Sequence, residues 1–264
     1  MTDRLARLAR SWDEAAEGYE TYFVPRFAPW VRAAVDELHD VPDGPILVPC
    51  CGTFPELALL APRFPGRRIV GIDLSAGMVR LARFRAAGNP LVEVVQGDAM
   101  TLDPAWSAAA VVSVFGLQQL PDPVTAIRSW YEVLGPAGRL CVVYWPVNTE
   151  DTGPFAVLDK VIDAGRDSSW EDGLIPALDG ALIERDVHLP FPMTHPGAAA
   201  YFDAANHAGP LRALALARGD DYIAELRAKF LAEAPAGEWT HHPRARLISV
   251  RKRLSREAVA RPTS

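Results

Sequence analysis

The side chains best suited to chemistry stand at the ends of short apolar runs. Pro49-Cys50-Cys51-Gly52-Thr53-Phe54-Pro55-Glu56 follows the run Ile46-Leu47-Val48 and opens into a helical pattern. Thr53 and Glu56 have capping-box spacing, which predicts first-turn amides aimed above the strand end. Such a helix start favours an anion by about 0.3–1 kcal/mol when exposed and up to about 2 kcal/mol when partly buried, so a carboxylate or phosphate is the expected guest. Asp73 closes a second run about 20 residues further on, the spacing of an acid that grips ribose hydroxyls. Gly97-Asp98-Ala99 closes a third, where a carboxylate can accept the exocyclic amine of an adenine ring. Singly, Gly52 reads as a plain turn and Asp73 as a helix cap; in this order the three describe a cradle for an adenosine.

Groups able to move a proton are fewer. A base must rise over the carboxyl ends of the strands, where ligands of such sheets sit, and the candidate catalytic groups are Tyr144, His195 and His207. Gln118 and Gln119 can orient a substrate but cannot take its proton at neutral pH. His241-His242 lacks a carboxylate or thiol pattern at ligand spacing, so no metal is expected. The three cysteines, two of them adjacent, build neither a disulfide framework nor a zinc site.

These positions need a frame. Apolar runs of strand length alternate with helical patterns, the rhythm of a parallel α/β sheet. Strands are predicted over 45–51, 68–74, 91–99, 109–117 and 138–145, and helices over 53–63 and 75–87, the latter capped by Ser75. Another helix starts at Asp122-Pro123 and stops at Gly135-Pro136. Beyond Trp145 the rhythm breaks into an insertion rich in Pro, Gly and Asp. A sixth strand is predicted over 186–194, helices over 197–233 and an edge strand over 244–253. The organisation expected is an N-terminal helical cap (1–40), a Rossmann-like core (41–145), an insertion with sixth strand and helical lid (146–243), a final core strand (244–253) and a tail (254–264).

With 264 residues, 49% of them hydrophobic, the chain suits one α/β domain with an appended element. Its formal net charge of −6 would repel a phosphate backbone, which sets nucleic acid aside as partner. No apolar run of membrane-spanning length and no signal-peptide pattern is present in the sequence, so a cytoplasmic protein that does not enter a membrane is expected.

Taken together, the segments resemble class I S-adenosylmethionine (SAM) dependent methyltransferases over roughly residues 45–145, with an extension to Arg253. Ile46 to Glu56 resembles the family's glycine-rich first motif, Gly71-Ile72-Asp73-Leu74-Ser75 its ribose motif and Gly97-Asp98-Ala99 its adenine motif. Val114 to Leu120 resembles the loop after the fourth strand, and Val133 to Leu140 the turn into the fifth. Trp12 to Glu20 is similar to the leading helix of the small-molecule branch, that of ubiquinone and menaquinone C-methyltransferases, which closes over the methionine end of SAM. The resemblance implies a seven-stranded, mostly parallel sheet with an antiparallel last strand. It implies SAM contacts from Tyr19, Pro49, Cys50, Cys51, Gly52, Asp73, Leu74, Met78, Asp98, Ala99 and Phe115, and substrate contacts from Tyr22, Gln119, Trp145 and Phe202.

The first motif departs from the family at three positions: Val48 replaces an acid, and Cys50 and Phe54 replace glycines. A left-handed backbone at 50 or 54 would cost about 1–2 kcal/mol with a side chain present, and the Phe54 ring could fill the ligand's space. The activity implied is methyl transfer to an O or C nucleophile of a small aromatic or polyketide-like metabolite, by a monomer or homodimer. The rival readings are a cyclase-like enzyme on the same fold and an inactive binding subunit.

Overall fold

The computed structural model describes residues 3–162, 167–209 and 211–254. The tail expected from 254 onward lies outside them, apart from Leu254. The chain opens with α1 (Asp3–Gly18), a π-helical turn (Tyr19–Phe23) and α2 (Val24–Asp36). Five strands follow: β1 (Ile46–Pro49), β2 (Ile69–Asp73), β3 (Val92–Gln96), β4 (Ala108–Val114) and β5 (Leu134–Tyr144). Between them lie α3 (Leu57–Arg63), α4 (Ala76–Ala86) and α5 (Pro123–Glu132). Then come α6 (Pro154–Ile162), α7 (Ser169–Ala177), β6 (Leu182–Pro190), β7 (Met193–His195), α8 (Ala198–Ala208), α9 (Leu211–Arg218), α10 (Asp220–Glu233), β8 (Trp239–His241) and β9 (Arg244–Arg251).

Seven strands form one sheet in the order β3-β2-β1-β4-β5-β9-β6, and β9 runs antiparallel to both of its neighbours. The chain moves outward from β1 to β3 and then returns to β4. That reversal leaves a crevice above the carboxyl ends of β1 and β4, where ligands of open α/β sheets bind. β1 and β4 are buried along their whole length because helices cover both faces. Alternate residues of β5 feed the two cores: Cys141 and Val143 pack with Trp30 and Val48 on one face, Leu140, Val142 and Tyr144 with Ile127 and Trp130 on the other. A third cluster, Tyr201, Phe202, Leu226 and Phe230 with Leu158, is the interior of the helical segment over the sheet's end.

Several boundaries differ from the sequence reading, each for a local reason. The fourth strand stops at Val114 because Phe115 takes a left-handed φ of 60° and a 3-10 turn, Leu117–Gln119, follows. The sixth strand ends at Pro190: Pro190 and Pro192 lack amide donors, so residues 193–195 leave the sheet and pair with β8 instead. The first core helix begins at Leu57 rather than Thr53, for reasons that belong to the site.

Candidate functional site

The turn after β1 keeps a glycine-like backbone without the glycines. Cys50, Gly52 and Phe54 have φ of 55°, 52° and 66°, so the helix cannot start before the turn is complete. The capping box expected of Thr53 and Glu56 does not form: both are buried, and Thr53 Oγ1 and Glu56 Oε2 have no hydrogen-bond partner. Phe54 is fully buried and its ring turns under β2. A Cβ on Gly71 would lie 2.7 Å from Phe54 Cε1, so the glycine in mid-strand is the space that the ring occupies. Cys50 is matched in the same way by Gly116, where a Cβ would fall 2.3 Å from that of Cys50.

Above the turn lies a hollow enclosing about 680 Å³. Of the residues implied as cofactor contacts, Tyr19, Cys50, Gly52, Asp73, Leu74, Met78, Asp98, Ala99 and Phe115 line it. Pro49 does not, being buried in β1 with its carbonyl accepting from the Ser113 hydroxyl at 2.9 Å. Cys51 lines a smaller compartment next door. A Cβ on Gly52 would meet only Met78 Sδ, at 4.0 Å, so the glycine keeps the floor open.

Asp73 is fixed from both sides. One carboxylate oxygen accepts the Gly52 amide at 2.8 Å and the other the Ser75 amide at 2.9 Å, which leaves each oxygen a further lone pair for a donor in the hollow. Burial raises its pKa above the ordinary carboxylate value, and those two amide bonds oppose the rise. Asp98, exposed at the far end, accepts the Met100 amide at 2.9 Å. Among the described residues, no Lys, Arg or His lines the hollow.

The roof is α1, through Leu5, Leu8, Ala9 and Trp12; of these only Trp12 is foretold by the sequence, through the resemblance of its segment to a leading helix. Asp13 holds this helix down by accepting the Ser75 hydroxyl at 2.6 Å and the Gly77 amide at 2.9 Å. Gly77 permits the approach, since a Cβ there would sit 2.8 Å from the Asp13 carbonyl oxygen.

Gln119 lines both this hollow and a second cavity of about 1020 Å³. Trp145, Phe155, Trp170 and Tyr201 supply the flat walls of the second cavity, with Asp159 and Asp167 among its polar groups. Gln118 donates its Nε2 to the Phe115 carbonyl at 2.8 Å, which fixes its Oε1 as a buried acceptor without a partner. Phe115 and Trp145 stack at 4.1 Å, between the two spaces.

The candidate bases go elsewhere. Tyr144, one residue from Trp145, points to the opposite face of β5, is fully buried and accepts from Arg246 at 3.1 Å. His207 is exposed in the last turn of α8. His195 is fully buried in a chain that the sequence did not foretell: Tyr22 Oη to His195 Nδ1 at 2.9 Å, His195 Nε2 to His241 Nε2 at 3.0 Å, His241 Nδ1 to Glu150 at 2.6 Å. Burial first, then His241 and Arg26, push the His195 pKa down to about 3, so its imidazole is neutral at physiological pH. Of the implied substrate contacts, Gln119 and Trp145 line the second cavity, Tyr22 belongs to the histidine chain and Phe202 to the helical core.

Residues 47–142 match the family model described as a methyltransferase domain. Over 118 residues the chain is 35% identical to the 2-phytyl-1,4-naphtoquinone methyltransferase of Thermosynechococcus vestitus, covering 43% of this chain and 52% of that protein. Over 134 residues it is 34% identical to the demethylmenaquinone methyltransferase of Thermus thermophilus, covering 50% and 60%. The chain thus spans little more than half the length of these curated relatives. Its fold is similar to that of geranyl diphosphate C-methyltransferase from Streptomyces coelicolor A3(2), solved with Mg2+, geranyl diphosphate and S-adenosyl-L-homocysteine, with a TM-score of 0.58 over 95% of this chain and 98% of that one at 15% identity.

Proposed function

We propose that this chain, which carries a class I SAM-dependent methyltransferase domain, binds SAM in the hollow above β1, β2 and β3 and moves its methyl group to an O or C nucleophile of a small, flat, apolar metabolite. The observation that carries the reading is Asp73, anchored by two amides with lone pairs left for the ribose diol, in a hollow whose charged lining is acidic. That lining fits the group: a sulfonium and an ammonium are cations, the ribose and the adenine amine are donors, and carboxylates are acceptor-only. When bound, SAM supplies a methyl on a positively charged sulfur that departs without help from an acid.

The protein's part is then to align and to exclude water, and ordering two reactants can lower a barrier by about 7–11 kcal/mol. Gln119, on the rim shared by the two spaces, and the Phe115–Trp145 stack would set the acceptor's angle of approach. The partnerless Gln118 Oε1 asks for a donor on the acceptor, which suits a phenol or enol hydroxyl. We take the acceptor to be aromatic or polyketide-like because Trp145, Phe155, Trp170 and Tyr201 give the second cavity flat, aromatic walls. The same reading has the protein at work in the cytoplasm, as a monomer or homodimer with a small-molecule partner. Among the described residues, no helix is long and apolar enough to cross a membrane.

Calorimetry with SAM and S-adenosylhomocysteine, followed by a screen of phenolic and polyketide-like acceptors with labelled methyl, tests the proposal. Micromolar binding and labelled product are expected, and Asp73→Ala should weaken binding about 10- to 100-fold. Absence of binding overturns the reading; binding without methyl transfer to any acceptor would leave a non-methylating enzyme on this fold. A second expectation concerns the roof. Gly77→Val must push α1 away from α4, and cofactor affinity should fall about tenfold while the far-ultraviolet circular dichroism is preserved.

A further inference from the structure

The turn after β1 is flanked by a compartment of about 310 Å³ that shares Tyr19, Cys50, Gly52, Val114 and Phe115 with the main hollow. Among its described lining residues Glu56 is the one acidic side chain. Glu56 is 2% exposed, and its Oε2 accepts no hydrogen bond. A buried carboxyl oxygen without a hydrogen-bond partner is costly, so a fold that keeps one invites a ligand to supply the partner. The neighbouring cation, Arg85, is committed to Glu20.

The layout of the two spaces says which part of a ligand arrives there. Asp98 lines the main hollow and not the compartment; Glu56 lines the compartment and not the hollow; Gly52 and Tyr19 belong to both. An adenosyl ligand with its base at Asp98 and its ribose at Asp73 therefore extends past Gly52 toward Glu56. What it carries there, in SAM and in its product, is an amino acid whose ammonium brings three donors and a positive charge.

We propose that Glu56 receives the α-ammonium of SAM and of S-adenosylhomocysteine, and so selects adenosyl ligands that bear an amino acid over those that do not. The assignment rests on the SAM reading above. The protonation that follows from it is distinctive. Burial, more than any other influence, lifts the Glu56 pKa to about 8, with Asp73 adding to the rise and Arg85 and a backbone amide opposing it. The other titratable groups lining the compartment are Tyr19, Cys50 and Cys51, all held in their neutral forms by burial; Asp73, also raised by burial, lines the hollow next door. Near pH 6.5 the free protein thus holds a proton on Glu56 that an arriving ammonium would displace. The ligand's own amine belongs to a free amino acid, whose neighbouring carboxylate keeps the ammonium charged to higher pH than the α-amino group of a peptide, so it stays a cation while Glu56 titrates. Affinity should rise with pH as Glu56 loses its proton and level off above about pH 8.

The experiment compares S-adenosylhomocysteine with methylthioadenosine, which keeps the adenine, ribose and sulfur and lacks the amino acid. Calorimetry near pH 6.5, in two buffers of different ionisation enthalpy, should show about one proton released when S-adenosylhomocysteine binds and none with methylthioadenosine. Glu56→Gln should abolish the release, flatten the rising limb of the pH profile and weaken S-adenosylhomocysteine about 10- to 100-fold, with methylthioadenosine unchanged. Methylthioadenosine also reports that the variant is folded. Equal weakening of both ligands, or an unaltered affinity for S-adenosylhomocysteine, overturns the proposal. If the unsubstituted protein binds neither ligand, the SAM reading itself is what fails.

Discussion

Acidification from pH 6.5 toward 3.5 should remove about 4 kcal/mol of stability through His195, and His195→Gln should abolish that loss. His195 is fully buried, and its pKa in the folded protein is lowered to about 3 from an ordinary value of 6.5. Below pH 6.5 the unfolded chain takes up a proton on this ring and the folded chain does not. The contribution is therefore fully present above pH 6.5 and lost as pH falls toward 3, at about 1.4 kcal/mol per unit. With Glu150 ionised, the hydrogen bonds have one consistent sense: His241 Nδ1–H donates to Glu150, His195 Nε2–H to His241, and the Tyr22 hydroxyl to His195 Nδ1. A second proton on His195 would turn its acceptor nitrogen into a donor aimed at Tyr22. Glu56 acts in the opposite sense, because a carboxyl raised to about 8 gives stability at low pH that is lost as pH rises from 4.5 to 8. The two partly cancel between pH 6.5 and 4.5, so the raw curve is not the measurement. What isolates His195 is the difference between the protein and His195→Gln, by urea unfolding at several pH values. That difference should shrink steadily on acidification; a constant difference would mean that the ring takes its proton without unfolding.

Much of the frame was legible in the sequence because burial on both faces leaves a plain mark. The apolar runs at Ile46, Ile69 and Ala108 became β1, β2 and β4, and the acids that close β2 and follow β3 line the hollow. The histidine chain left no such mark. Tyr22, Glu150, His195 and His241 come from four separate elements or loops, and nothing in local spacing joins them. Parity turns Tyr144 to the face of β5 opposite Trp145, since one residue along a strand decides which face a side chain meets. The capping box failed because three left-handed residues displace the helix start, and residue type alone argues against such a backbone at Cys50 and Phe54. A signal was nevertheless available in Gly71, a glycine inside a buried apolar strand, which marks the close approach of another group.

That group is the Phe54 ring, and the pair should behave as one packing unit. Phe54→Gly relieves a left-handed backbone worth about 1–2 kcal/mol but forfeits a fully buried aromatic worth about 3–5 kcal/mol, so a net loss of about 1–4 kcal/mol is expected. A glycine at this position, as in the motif that the turn resembles, therefore should not stabilise this protein. Gly71→Ala drives a methyl to 2.7 Å from the ring and 2.9 Å from Cys51 Sγ in a strand that cannot move, which should cost about 1–3 kcal/mol. In the Phe54→Ala background the ring is gone, and the same methyl enters the cavity it leaves. Gly71→Ala should then cost far less, a coupling of at least about 1 kcal/mol in a double-mutant cycle read from urea midpoints at constant m-value. Additive losses, or a Phe54→Gly variant more stable than the parent, would show that the ring does not hold the turn. The result also bears on the hollow, because the amide that fixes Asp73 belongs to Gly52, two residues from the ring. A turn loosened at Phe54 should release that carboxylate and weaken S-adenosylhomocysteine, although Phe54 does not line the hollow.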